Sequence, residues 1–149
     1  MSTLLIKNGR VIDPARNLDK VVNVFIADGK IKAIDSKALK ADKIIDAEGL
    51  IVTPGLIDMH VHLREPGKEE EETIASGVAA AAAGGFTSIA CMPNTEPIVD
   101  NEASAEFVYL QAKRANLANV FPIGAITKGS KGEQLSEMGQ MVRGGAVGF

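Results

Sequence analysis

Apolar residues in the first fifty positions come in short, largely β-branched runs cut by turn residues, a pattern of strands rather than helices. Leu4–Ile6 leads into Lys7-Asn8-Gly9-Arg10, which reads as a turn, and Val11–Ile12 runs on to Asp13-Pro14. Val21–Ala27, then Asp28-Gly29, then Lys30–Ile34 is the strongest local signal. Asp-Gly between two β-branched runs supplies the positive φ angles that a two-residue hairpin requires. Lys43–Asp46 and Leu50–Thr53, flanking Ala47-Glu48-Gly49, read as a further hairpin. Residues 1–53 therefore predict a meander, a small sheet or part of a β-sandwich domain, with too few strands to close a core alone.

After Thr53-Pro54-Gly55 the pattern changes to strands alternating with helices, which predicts βαβ units, a parallel sheet and an α/β fold for residues 54–149. Leu56–Leu63, Phe86–Met92 and Val120–Ile126 read as strands. Lys68–Ala83, Asp100–Leu117 and Gly132–Val142 read as helices, with Glu69 to Glu72 in a first turn where the helix dipole favours acids. Gly84-Gly85 and Gly144-Gly145 suit helix C-termini. Ala146–Phe149 starts a fourth strand in an apolar run. This gives about three and a half βα units, whereas a (β/α)8 barrel needs roughly 250 residues. Two readings stand: the front third of a larger, TIM-type barrel protein, or a small open α/β domain with a short last strand.

Composition narrows the function classes. A formal net charge of −3 leaves no general basic field for nucleic acid or an anionic membrane. Aromatic residues are 4 % and Trp is absent, so no stacking platform for single strands is expected. The single cysteine, Cys91, cannot form an internal disulfide; it reads as a small buried hydrophobe in a protein of the reducing cytoplasm. No apolar run reaches the length of a membrane span, and MSTLLIKNGR lacks the apolar core of a signal peptide.

The two histidines of the chain are His60 and His62, both in the first strand of the α/β segment. Strand alternation predicts Asp58, His60, His62 and Arg64 on one face and Met59, Val61 and Leu63 on the other. The apolar set suits packing against helices, and two imidazoles so spaced can both reach one divalent ion. The plainer reading is a pair of polar residues at a strand end. Asp58 reads as a hydrogen-bonding residue outside the site. Asn94, between Pro93 and Pro97 in the stiff loop after the next strand, offers an amide to a planar amide or carboxylate ligand, or serves only as a turn residue. Lys128 and Lys131 read as a solvated loop.

The run Pro54-Gly55-Leu56-Ile57-Asp58-Met59-His60-Val61-His62-Leu63-Arg64-Glu65-Pro66-Gly67 resembles the first barrel strand of dihydroorotases. Ala81-Ala82-Ala83-Gly84-Gly85-Phe86-Thr87 and Met92-Pro93-Asn94-Thr95 are similar to the same family, in the type common in bacteria, and the likeness extends over the whole chain. It lies within the wider amidohydrolase superfamily. The resemblance implies a zinc-dependent cyclic amide hydrolase of de novo pyrimidine biosynthesis, interconverting dihydroorotate and N-carbamoyl-aspartate. It implies one or two Zn2+ held by His60 and His62, with His62, Arg64 and Asn94 at the substrate and its carboxylate. Bound zinc would lower the pKa of its water and polarise the ring carbonyl. The remaining ligands and an Asp acid/base are expected beyond residue 149, so the chain alone is expected to be inactive. Alternatives are an allantoinase or a dihydropyrimidinase-like amidase, and a non-catalytic subunit partnering aspartate carbamoyltransferase. The implied partners are thus the small-molecule substrate, that transferase and a second copy of the chain, with no nucleic acid and no membrane.

Overall fold

The computed structural model describes residues 2–35, 37 and 39–149, and the chain divides into two compact units, Met1–Pro54 and Gly55–Phe149. The first unit is a five-stranded sheet built around β1 (Thr3–Asp13). β2 (Leu18–Ala27) pairs antiparallel with β1, and β3 (Lys30–Asp35) pairs antiparallel with β2. The turn between them takes φ of 51° at Asp28 and 71° at Gly29, the doubly positive geometry expected from that dipeptide.

Two expectations for this unit are corrected. Residues 7–10 do not form a turn: β1 runs through them, with a register shift between Ile6 and Gly9 and Asn8 at φ 63°. The bulge is fastened by side chains, since Asn8 N donates to Asn23 Oδ1 and Asn8 Nδ2 donates to Asp46 Oδ1, each at 3.0 Å. Nor do β4 (Lys43–Asp46) and β5 (Ile51–Val52) pair with each other; both lie parallel to β1, one beyond the other. The open edge of β1 offers a longer ladder than a hairpin of such short strands. The turn steps along that edge through Ala47 N to Lys7 O and Arg10 N to Leu50 O.

The second unit is a parallel sheet in the order β6 (Leu56–Val61), β7 (Phe86–Cys91), β8 (Asn119–Pro122), with crossover helices α1 (Ile74–Ala83) and α2 (Glu102–Ala115). Its core joins Leu63, Ile89 and Cys91 of the sheet side to Ile74, Val78, Ala105 and Val108 of the helices. Past β8, Val147 N donates to Pro122 O and Gly124 N to Gly148 O, so the last residues lie alongside in the parallel sense expected of a fourth strand.

Helix starts differ from the sequence reading. α1 begins at Ile74, not Lys68, because Thr73 and Ser76 form a capping box and Glu65 Oε2 accepts the Ile74 N–H at 2.7 Å. Glu69 to Glu72 therefore lie in turns ahead of the helix. α2 starts at a second capping box, Asn101 with Ser104. Residues 123–137 carry neither the end of a long β8 nor the start of α3 (Met138–Arg143), since the Ser136 hydroxyl is held by the carbonyls of Ala125 and Ile126. Among the described residues no helix is long and apolar enough to cross a membrane.

Candidate functional site

The site lies at the carboxyl end of β6 and is shaped by an irregularity in that strand. Asp58 pairs with Ile89 and Val61 with Cys91, three steps on β6 against two on β7. Ile89 and Cys91 both face the helices, so Asp58 and Val61 face them too. Met59 and Ile57 line the opposite face with Ala90, Phe121, Ile123 and Val147. The strict alternation expected over 58–64 is thereby corrected: Asp58 shares the helix side with Val61, and Met59 is not on the face of Val61 and Leu63. The Asp58 carboxylate instead accepts the His60 backbone N–H at 3.0 Å, fixing the bulge.

His60 and His62 flank Val61 and are exposed, with ring centroids 5.2 Å apart and planes at 64°. His62 Nδ1 lies 2.7 Å from Asn94 Oδ1. An amide oxygen only accepts, so Nδ1 donates, and in the neutral ring the lone pair is then on Nε2. Asn94 is exposed in the loop after β7, where Val99 N and Thr95 N both donate to Pro93 O and the buried Thr95 hydroxyl donates to Pro97 O at 2.8 Å. A lone-pair nitrogen on a ring steadied by its other nitrogen is the ordinary disposition of a metal-ligating histidine. Two adjoining imidazoles fit part of a metal site. A group of three or more candidate ligands is not found among the described residues, whereas a catalytic zinc normally takes three.

Arg64 lies past the end of β6 at φ 62°, so strand parity does not set its direction. Its Nε is 3.4 Å from Glu71 Oε2, an ion pair whose members are 34 % and 50 % exposed. The acidic run ahead of α1 thus supplies a partner for Arg64. The turn is anchored at both ends: Lys68 N donates to Arg64 O, and Glu65 caps α1. It is also joined to the Asn94 loop, because Glu96 N donates to Pro66 O at 2.9 Å. His62, Arg64 and Asn94 are in this way carried by two mutually bonded loops, with His60 at the end of β6. The sequence offers Glu65 or one of Glu69 to Glu72 as an ion-pair partner for Arg64; the structure pairs it with Glu71, while Glu65 caps α1.

Cys91 is 2 % exposed and its thiol pKa is pushed up by burial, with a smaller opposing effect from the Leu63 backbone. It is a core residue, as its apolar surroundings in the sequence suggested. Lys128 and Lys131 are exposed in the loop after β8, where Lys128 Nζ is 3.9 Å from Glu137.

Residues 49–149 match the family model described as Dihydro-orotase-like. The chain belongs to that family. Dihydroorotases of Geobacter metallireducens and Solibacter usitatus are 56 % and 57 % identical to it over 146 residues, 97 % of this chain and 34 % of each relative. The chain spans about a third of the length of these curated relatives. Among solved structures, L-hydantoinase (dihydropyrimidinase) from Arthrobacter aurescens covers the whole chain with a TM-score of 0.83 at 28 % identity, the chain matching 32 % of its length. The family resemblance read from the His-Val-His-Leu-Arg and Met-Pro-Asn-Thr runs is therefore supported across both units.

Proposed function

We propose that this chain is the N-terminal portion of a zinc-dependent cyclic amide hydrolase that interconverts dihydroorotate and N-carbamoyl-aspartate in de novo pyrimidine biosynthesis, a cytoplasmic pathway. The observation that carries the reading is the side-by-side pairing of His60 and His62, with Asn94 bonded to His62 and Arg64 on the adjoining turn. Residues 1–53 then belong to a β-sandwich domain, and residues 54–149 form the first three and a half βα units of a (β/α)8 barrel. In that fold, side chains at the carboxyl ends of strands are where the chemistry sits.

Within the site, His60 and His62 would hold zinc, as one ion or two, with further ligands supplied elsewhere in a protein of the relatives' length. A divalent ion so held activates water and polarises an amide carbonyl toward attack. Arg64 presents a planar guanidinium that matches a carboxylate through two parallel N–H donors. Asn94, with Oδ1 turned to His62, keeps its Nδ2 donors for the same carboxylate. A neutral-ring amidase is the second reading, favoured by the structural likeness to the hydantoinase named above.

The test is metal content by elemental analysis in a relatives-length protein carrying these residues. His60→Ala and His62→Ala should each lose metal and ring-opening activity together, since each removes a ligand bond. Wild-type metal content in both variants would remove the metal assignment. The 149-residue chain alone should show no hydrolysis of dihydroorotate.

A further inference from the structure

The Asn94 amide faces two ways, and only one of its faces is used by a substrate-binding role. Its oxygen is 2.7 Å from His62 Nδ1, while its backbone is immobilised by Pro93 O accepting from both Thr95 N and Val99 N, and by the Glu96 N bond to Pro66 O. Thr95, next in the chain, is buried and turns its hydroxyl onto Pro97 O. A side chain on so restrained a loop can impose an orientation on an exposed ring, and the exposed His62 ring gains from it a fixed proton position. We propose that Asn94 is a positioning residue for His62: by accepting the Nδ1 proton it locks the neutral imidazole in the Nδ1–H tautomer, leaving on Nε2 the lone pair that a metal ion would take.

The inference rests on the reading of His62 as a metal ligand but goes beyond it, because it assigns the amide oxygen to the ring and leaves the amide nitrogen to the substrate. The physical argument is one of hydrogen-bond capacity. A neutral imidazole has one donor and one acceptor nitrogen, and whatever accepts from Nδ1 decides that Nε2 is the acceptor. Had the amide nitrogen faced the ring, Nδ1 would have to accept, and Nε2 would carry a proton where a ligand bond is required. Groups that orient a ligating histidine in this way commonly affect metal affinity by 10–100-fold when removed.

The chain has two histidines, which makes the measurement direct. Imidazole 15N chemical shifts of the metal-free, 15N-labelled chain, with both rings neutral, report the tautomer of each, and a His60→Gln sample assigns them. His62 should show the Nδ1–H tautomer in wild type and in Asn94→Asp, whose carboxylate also only accepts, and a mixture of tautomers in Asn94→Leu. Zn2+ added to each sample should shift the His60 and His62 signals together, and Asn94→Leu should need about 10–100-fold more zinc to do so. Rescue by Asp separates positioning from a general disturbance of the loop. An Nε2–H tautomer of His62 in wild type, or an unchanged Nδ1–H tautomer in Asn94→Leu, would overturn the proposal. The tautomer result decides the role of Asn94 whether or not Zn2+ moves the rings of this two-ligand site, and metal content in the relatives-length protein decides the metal assignment.

Discussion

Gly67 packs against the backbone carbonyl of Glu96, so the loop after β6 and the loop after β7 meet main chain to main chain at this point. The contact explains how Arg64 and Asn94, thirty residues apart, come to hold a fixed separation. It also tolerates no side chain: a Cβ at residue 67 would overlap the Glu96 carbonyl, and the backbone there has φ 100°.

Gly67→Ala should therefore destabilise the second unit by about 2–4 kcal/mol, combining left-handed strain with overlap against immovable backbone. Gly29→Ala, at φ 71° but with nothing within 4 Å of the added Cβ, should cost only about 1 kcal/mol in its own unit. Urea denaturation of the two variants beside wild type tests this. Equal losses would show that the loop-to-loop contact adds nothing to the backbone strain.

How much of this was legible in the sequence depended on whether the deciding interaction was local. The Asp28-Gly29 hairpin was legible because its turn type demands φ values that the dipeptide itself favours. The strand-and-helix alternation of residues 54–149 was legible from period and length. The pairing of β4 and β5 was not, because their partner is β1, some forty residues earlier, and no local pattern identifies a distant strand edge. Asn8-Gly9 has turn chemistry yet forms a bulge, since the bonds that stabilise it come from Asn23 and Asp46. The acid-rich start assigned to α1 misled because helix-favouring residues were overridden by the Thr73–Ser76 box and by Glu65. At the site, the histidine pair and Asn94 stood out by residue type. The sides of Asp58 and Met59 were misread because a bulge between Asp58 and Val61 leaves no mark in the hydrophobic pattern.

The first unit should be acid-labile. Asp42 accepts from both Thr3 N and Thr3 Oγ1 at 2.8 Å, and Asp46 accepts from Lys7 and Asn8; these bonds hold both carboxyl pKa values below the ordinary range. Asp19, bonded to Arg10, is lowered likewise. A lowered folded-state pKa means that the stabilisation is fully present above the unfolded carboxylate pKa of about 4 and is lost as pH falls through the folded value. Denaturant midpoints of the sheet should therefore fall below about pH 4, and Asp42→Asn should flatten that dependence. A midpoint that is flat or rises with acid would contradict the assignment.

Cys91 should be silent in the native protein. The thiolate is the reactive form, and burial both raises the pKa of this thiol and blocks access to it. Mass spectrometry after iodoacetamide treatment should find the chain unmodified under native conditions and singly modified once denatured. Rapid native labelling would mean that β7 opens far more readily than its packing implies.

Arg64 should select the substrate class, and its contact with Glu71 sharpens the test. One Arg64 edge is engaged through Nε at 3.4 Å, while the guanidinium as a whole stays one-third exposed and so remains open to a second anion. A structural ion pair is the competing role, but a pair this exposed is worth at most about 1 kcal/mol and commonly less. Glu71→Gln should therefore leave the melting temperature of a relatives-length enzyme within a degree or two. Arg64→Lys should also fold and keep its metal, because Arg64 is not a ligand. If the fork binds the substrate carboxylate, the lysine variant loses about 2–4 kcal/mol of transition-state stabilisation with dihydroorotate, since a point charge cannot replace two parallel donors. Activity toward a neutral ring such as dihydrouracil should barely change. Measuring kcat/KM for both rings in wild type and Arg64→Lys decides between the roles. Equal losses on the two rings, or losses that track a lower melting temperature, would return Arg64 to a purely structural part and favour the neutral-ring amidase.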